Sequence, residues 1–355
     1  MTKIFLKRMN VKRLLKAAFF LFFLLPFPAL AESGELRLTT SPLPINLKVE
    51  PGSSISTALK IKNDGNQSED LKVSLMKFKA DPSTGAAILS DREPTDGYFD
   101  WVTFSDPTFT LPQNEWKTVT ATFTVPNTAA FDYYYAIVFF RADQDVKPGE
   151  QQTVLNGGTA TLVLLTVDVP GARKQLELDR FSVDRNIFEF LPTTFDVRVK
   201  NTGDVHVIPH GNVFISRSGS DENIAILNVN ATQGSVLPDS PRTFSPDWSD
   251  GFPVYVTKEE NGAPQKDAEG NLIRELKWNF ADAAKLRFGK YQAKLLLVYD
   301  DGTRDVPIES EVSFWVIPWR LLAGALVIAI FVLIGLKSTL QSWYRKFRGF
   351  FGENT

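Results

Sequence analysis

His206 and His210 are the only imidazoles in a chain of 355 residues that has no cysteine. They lie four apart in Asp204-Val205-His206-Val207-Ile208-Pro209-His210, and residues four apart share one face of a strand. A two-histidine metal site with Asp204 as third ligand is therefore conceivable. Pro209 interrupts such a strand, so polar strand residues are the expected reading. A Ser-His-Asp relay would have to use one of these two rings, and no Gly-x-Ser-x-Gly elbow accompanies them. Neighbouring carboxylates occur at Asp143/Asp145, Glu259/Glu260 and Asp300/Asp301, after a strand end, at a loop tip and in a hairpin. Glycoside hydrolysis needs two carboxylates fixed across a cleft, so these are expected to be solvated turn acids, with weak calcium binding as the alternative. Without cysteine there is no thiolate chemistry, disulfide or lipid-attachment thiol. No glycine-rich phosphate loop is present. The expectation is a non-enzyme with no catalytic residue, cofactor or metal, and with no nucleotide.

Two stretches remain as candidates for binding. In Phe131-Asp132-Tyr133-Tyr134-Tyr135-Ala136-Ile137-Val138-Phe139-Phe140, alternation sends Tyr133, Tyr135, Ile137 and Phe139 to one face and the intervening residues to the other. Rings packed on both sides of a central strand are one reading. The other is a ligand surface in which Trp101, Tyr133, Tyr134 and Tyr135 stack on sugar rings. The second stretch is the longest polar excursion of the chain, Glu259 to Asn271, flanked by Val254-Tyr255-Val256 and by Leu272 to Trp278. It reads as an inserted hairpin whose tip, with Glu259, Glu260, Asn261, Lys266 and Asp267, could meet a partner. Asn66-Gln67-Ser68 and Asn230-Ala231-Thr232 also match the glycosylation triplet.

The elements that must position these residues are short strands. Between 35 and 316 the pattern has period two, with turn residues every ten or so positions. Ile55, Thr57, Leu59 and Ile61 alternate with polar neighbours, as do Val119, Ala121, Phe123 and Val125. Such strands put one face on a core and one in water. Val169-Pro170-Gly171-Ala172-Arg173 divides the region into two blocks that echo each other. Each block has an alternating strand ending in Lys-Asn-x-Gly, at 62–65 and at 200–203, where a tight turn with positive φ is expected. The sequence therefore predicts an all-β fold of two tandem β-sandwiches, 32–169 and 170–316.

Charge and hydropathy set the ends. Of 39 basic and 41 acidic residues, ten basic and one acidic lie in 1–31 and 337–355, so the region between carries 29 and 40. An acidic body is repelled by phosphate backbones, which argues against nucleic acid as a partner. Residues 1–31 read as a signal peptide: a basic start, an apolar run to Leu25, prolines 26 and 28, and the small-x-small site Ala29-Leu30-Ala31. Residues 317–336 read as a single transmembrane helix, followed by a basic, aromatic tail, 337–355. The positive flank places that tail in the cytoplasm and the blocks outside the cell, with membrane lipid as one partner. The last strand runs through Ile317-Pro318-Trp319 into the helix with almost no stalk.

In these features the chain resembles the WxL-interacting type of bacterial surface protein. The resemblance rests on Pro44-Ile45-Asn46-Leu47-Lys48-Val49-Glu50-Pro51-Gly52, Lys62-Asn63-Asp64-Gly65 and Val125-Pro126 in the first block. In the second it rests on Asn201-Thr202-Gly203, Leu237-Pro238-Asp239-Ser240 and Phe288-Gly289-Lys290-Tyr291. It implies two immunoglobulin-like domains, the first of a peptidoglycan-binding type. It also implies adhesion or scaffolding at the cell surface by contact with a cell-wall polymer or a partner protein. The first block is similar, too, to sandwiches that lend a strand to secreted subunits, which implies a chaperone-like assembly factor working through an edge strand.

Overall fold

A computed structural model describes residues 36–81, 84–144, 157–260 and 262–352, with side chains described as far as 343. The expected signal peptide, Asp145 and Asn261 lie outside the described residues. The first unit contains β1 (Leu38–Ser41), β2 (Ile45–Val49), β3 (Ser54–Asn63), β4 (Glu69–Ala80) and β5 (Ala87–Ser90). It continues with β6 (Val102–Phe104), β7 (Thr108–Leu111), β8 (Trp116–Thr124), β9 (Phe131–Arg141) and β10 (Gly158–Val167). One sheet has the order β1-β3-β8-β6, and the other β2-β10-β9-β4-β5 with β7 also on β4. The alternation read in β3 and β8 is what closes the sandwich. Leu59, Ile61, Val119, Ala121 and Phe123 are fully buried between the sheets, and Ser56 and Lys60 face water. β9 is central and buried on both faces from Tyr135 to Phe140. Tyr135, Ile137 and Phe139 enter the sandwich core. Ala136, Val138 and Phe140 join Met76, Phe78, Leu89 and Leu164 beside Leu237 of the second unit.

The second unit opens with β11 (Leu176–Val183), β12 (Ile187–Phe188), β13 (Thr193–Asn201), β14 (His210–Arg217), β15 (Asn223–Asn228), β16 (Pro241–Phe244) and β17 (Asp247–Trp248). β18 (Val254–Thr257), β19 (Glu259–Glu260), β20 (Ala263–Pro264), β21 (Arg274–Lys277), β22 (Gly289–Asp300) and β23 (Asp305–Val316) follow. β11-β13-β16, with β17 on β13, faces β12-β23-β22-β14-β15 across a core that includes Phe195, Trp248, Tyr291 and Phe314. The inserted hairpin is present as the ribbon β18–β21, with β19–β20 beyond it.

The two Lys-Asn-x-Gly corners do the same work in both units, by a route other than the expected turn. Neither Gly65 nor Gly203 has positive φ. Instead Asn63 and Asn201 are 0% exposed and act as three-way pins. The Asn63 amide donates to the carbonyls of Gln67 and Leu111, while its oxygen accepts the Gly65 N–H. The Asn201 amide donates to Val205 and Val236, and its oxygen accepts the Gly203 N–H. The glycine is needed at 203 because a Cβ there would lie 2.4 Å from the Arg173 carbonyl oxygen. Asn230 is a third such pin, donating to Pro209 and Gly234. It is buried, so its amide is closed to the glycosylation that its triplet suggested.

α1 (Trp319–Gly352) follows β23 after two residues. The expected helix, 317–336, was bounded by the first basic residue, but Lys, Gln, Leu and Ser are adequate helix formers and α1 runs on past Lys337. Within it Trp319–Trp343, 25 residues, is long and apolar enough to cross a membrane and is not buried against the rest of the chain. The chain is thus two immunoglobulin-like β-sandwiches followed by one long apolar helix.

Removing a pin strands two carbonyls and an N–H in a dry corner. Asn201→Ala and Asn63→Ala should each cost about 2–4 kcal/mol, since a buried group left without its partner costs roughly 1–3 kcal/mol. Urea unfolding measures this, and a loss below about 1 kcal/mol would show that water replaces the amide.

Candidate functional site

At the junction of the two units, Asp132 is the second residue of β9 and its one carboxylate. Its Oδ2 accepts the backbone N–H of His206 and lies 2.7 Å from the His206 Nδ1. The Tyr134 hydroxyl donates to Oδ2 at 2.8 Å, and the Thr166 hydroxyl donates to Oδ1 at 2.7 Å. The Asp132 side chain is 2% exposed and that of His206 11%. An ionised carboxylate only accepts, so Nδ1 carries the proton. Burial alone would push the Asp132 carboxyl up, but the His206 bonds and charge, with Thr166, outweigh it and hold the carboxyl below its ordinary range. Burial, and then the charge of Asp132, push the Tyr134 phenol up, so it stays a donor.

Two clefts follow the same junction. One, of about 600 Å³, is bordered by Asn46, Leu47 and Lys48 of β2, by Thr166, and by His206 and Asp300 from the second unit. The other, of about 440 Å³ and more apolar, is bordered by Leu43, Pro44, Phe78, Leu164, Leu237 and Arg242. β2 borders the first with Asn46, Leu47 and Lys48, and Leu43 and Pro44, just before it, border the second. Among the described residues β2 pairs only with β10, in parallel, and is the terminal strand of its sheet. Charge is clustered beside it: Lys48 pairs with Asp168 at 2.9 Å, Lys174 with Asp300 at 3.4 Å, and Arg173 with Asp204 at 3.0 Å. Burial lowers the Arg242 guanidinium's affinity for its proton. It donates to the Ser235 carbonyl at 2.7 Å and lies over the Phe244 ring.

Of the residues singled out from the sequence, Tyr134, His206, Asp300 and Asp301 lie at this junction and the others go elsewhere. Tyr135 is fully buried and donates to the Tyr98 carbonyl at 3.1 Å. Tyr133 packs its ring edge on Trp101, 4.6 Å between centroids, and both rings are half-buried against the core. Tyr134 lies on the opposite face, at the junction. The four rings therefore form no common stacking platform. They are split between two faces and spend their area on each other and on Tyr98, Phe99 and Phe123. Glu259, Glu260, Lys266 and Asp267 are exposed on the inserted ribbon, as expected. Asp267 is held low by the backbone N–H groups of its own turn, that of Asn271 first. His206 and Asp204, read as possible co-ligands, part company: the first binds Asp132, the second Arg173. Among the described residues no group of three His, Cys, Asp or Glu side chains is placed to hold a metal ion. Asp301 is lowered to about 2 by the Thr303 hydroxyl and the N–H groups of Arg304 and Thr303, a turn-forming role. Asp132, Thr166 and the edge of β2 were missed. The available signal was Asp132 itself, an acid leading into a run buried on both faces.

No family model and no curated protein matches the chain. Among solved structures it is similar to the YadV chaperone, at 12% identity and a TM-score of 0.33 over 78% of this chain and 99% of that one. It is similar to the CsuC-CsuE chaperone-tip adhesion subunit pre-assembly complex of Acinetobacter baumannii, at 12% identity and a TM-score of 0.33 over 77% and 97%. The CupB2 chaperone of Pseudomonas aeruginosa matches at 8% identity and a TM-score of 0.31, over 78% and 100%.

Asp132→Ala leaves four donors facing a void and should cost about 3–5 kcal/mol, the range for removing one partner of a buried charged contact. Its pH dependence has a definite sign. Because the folded carboxyl titrates below 3.8, its contribution is present above that value and is lost as pH falls through the lowered one. Chemical unfolding of the full chain in detergent should show the gap to the variant open at pH 5 and shrinking below pH 3.8. A gap that grew on acidification would remove Asp132 from this role.

Proposed function

We propose that this chain is a membrane-anchored, non-catalytic binding protein that holds an extended segment of a partner protein along β2, as a chaperone-like assembly factor would. The observation that carries this is the edge of β2 beside the first cleft, with the second cleft at Leu43 and Pro44, which lead into the strand. A terminal strand presents unpaired backbone donors and acceptors, and an extended peptide can satisfy them while its side chains enter neighbouring pockets. Here the neighbouring space is apolar at the Leu43 end and charged at the Lys48 end. Pro44 before β2 and Lys48 within it blunt the edge against indiscriminate pairing, which suits a selective site. For a wall polymer, the other partner that the family resemblance implies, the rings read as its stacking surface give no support. Tyr135 is buried, and Trp101 and Tyr133 are turned to each other.

In this reading α1 crosses the cell membrane, the two sandwiches stand outside, and the segment after the span is cytoplasmic. The support is the long apolar helix, with the sequence's basic flank beyond it.

Two measurements test the proposal. A photo-cross-linking side chain at Asn46 or Lys48 of the full chain, in its own cells, should give an adduct with a secreted polypeptide at least several-fold above the same group at Lys60 of β3. Equal labelling at all three positions would sink the edge-strand reading. Protease added to intact cells should cut the 36–316 region while sparing the tail. Protection of both, with unfolded controls digested, would sink the topology.

A further inference from the structure

The second sandwich gathers several exposed apolar side chains at one end of its longest hairpin, while Leu296 at mid-strand and Ile226 of β15 stand apart from them. Gly289 of β22 pairs with Val316 of β23, and Ile187 of β12 pairs with Trp315. This is the end at which the chain leaves for α1. Phe288, just before Gly289, and Trp315 are about half exposed, and Ile187 is 61% exposed. The segment leading to Phe288 adds Trp278, Leu286 and Phe280, the last 73% exposed. These rings are not loose. Buried Phe252 bridges to Leu286 and holds Trp278 and Phe280 at 5.7 and 5.5 Å between centroids. Cations stand among them: Lys285 and Arg287 on Asp250, and Arg320 on Glu189.

We propose that this end of the second sandwich is a membrane-docking surface, seated in the headgroup layer of the same bilayer that α1 crosses. The inference rests on the membrane-anchor reading given above and adds to it a second, monotopic contact. What selects lipid as the occupant is continuity with the helix. Only Ile317 and Pro318 separate β23 from Trp319, and the exit is pinned, because the Ile317 N–H donates to the Phe188 carbonyl at 2.7 Å. A bilayer around the first turn of α1 therefore lies against the surface that displays these rings. Their composition also fits that layer: aromatic and aliphatic side chains with Lys and Arg between them partition to the interface, the rings at headgroup level and the cations toward phosphate. The arrangement makes Phe280 a wedge rather than a core residue, since Trp278 stacks beside it and nothing of the second sandwich covers its outer face.

The absence of cysteine allows a direct test on the full chain in phosphatidylcholine–phosphatidylglycerol nanodiscs. An environment-sensitive fluorophore is placed on Phe280→Cys, with Leu286→Cys and Phe288→Cys as alternatives should one variant fold poorly. Leu326→Cys in α1 and Ser56→Cys in β3 serve as references. The expected result is at least twofold quenching by shallow spin-labelled lipid at 280, 286 or 288, strong quenching by deep spin label at 326, and none at 56. Quenching at 326 without any at the three loop positions would overturn the docking surface and leave the anchor standing. Loss of quenching at 326 as well would remove the anchor and the docking surface together. Fluorophore shielding at 280 that persists without lipid and scales with protein concentration would assign the surface to a second copy and overturn the proposal.

Discussion

The carboxylate of Asp132 decides how the two sandwiches meet. It gathers donors from both units at once, taking the His206 ring and backbone, the Tyr134 hydroxyl and the Thr166 hydroxyl. A buried charge is costly unless each lone pair is satisfied, so the contact is sensitive to geometry in a way that apolar packing is not. The nearby contact of Leu237 with Phe78, Val138 and Leu164 supplies area, and Asp132 supplies registration. Both clefts follow from that registration. The edge would exist in the first sandwich alone, but its flanking walls would not.

Much of the fold was legible because period-two alternation is a direct imprint of a half-buried sheet. β3 and β8 could be written down from Leu59, Ile61, Val119, Ala121 and Phe123 before any coordinates, and the continuous run in β9 announced a strand covered on both sides. The short strands were harder. β12 and β17 have two residues each, too few to express a period, and the chain's change of sheet between β1 and β2 passes through Pro42 and Pro44. The corners were half legible. Asparagine and glycine marked the right positions, but a buried side chain bonding three backbone groups leaves the same two letters as a turn with positive φ.

The candidate site was less legible, for a physical reason. The aromatic run drew attention because rings are conspicuous in sequence, and the same size that makes them conspicuous makes them core. The residues that shape the junction are ordinary: one aspartate, one threonine, one histidine and a five-residue edge strand. His206 gained its role only when a carboxylate 74 positions earlier was folded against it. Local spacing carries no trace of such a pair, whereas an acid leading into a buried run does.

β22 and β23 have one further consequence. Each has 12 residues, and their shared turn at Asp300–Gly302 borders the junction cleft while their other ends meet α1. At about 3.4 Å per residue this hairpin is a strut some 40 Å tall. Because the strut passes into the helix without a hinge of any length, its tilt and the helix's are geared together. In the proposed function the edge of β2 is thereby carried at a set height, and a client meets it at that elevation and at an angle the helix dictates.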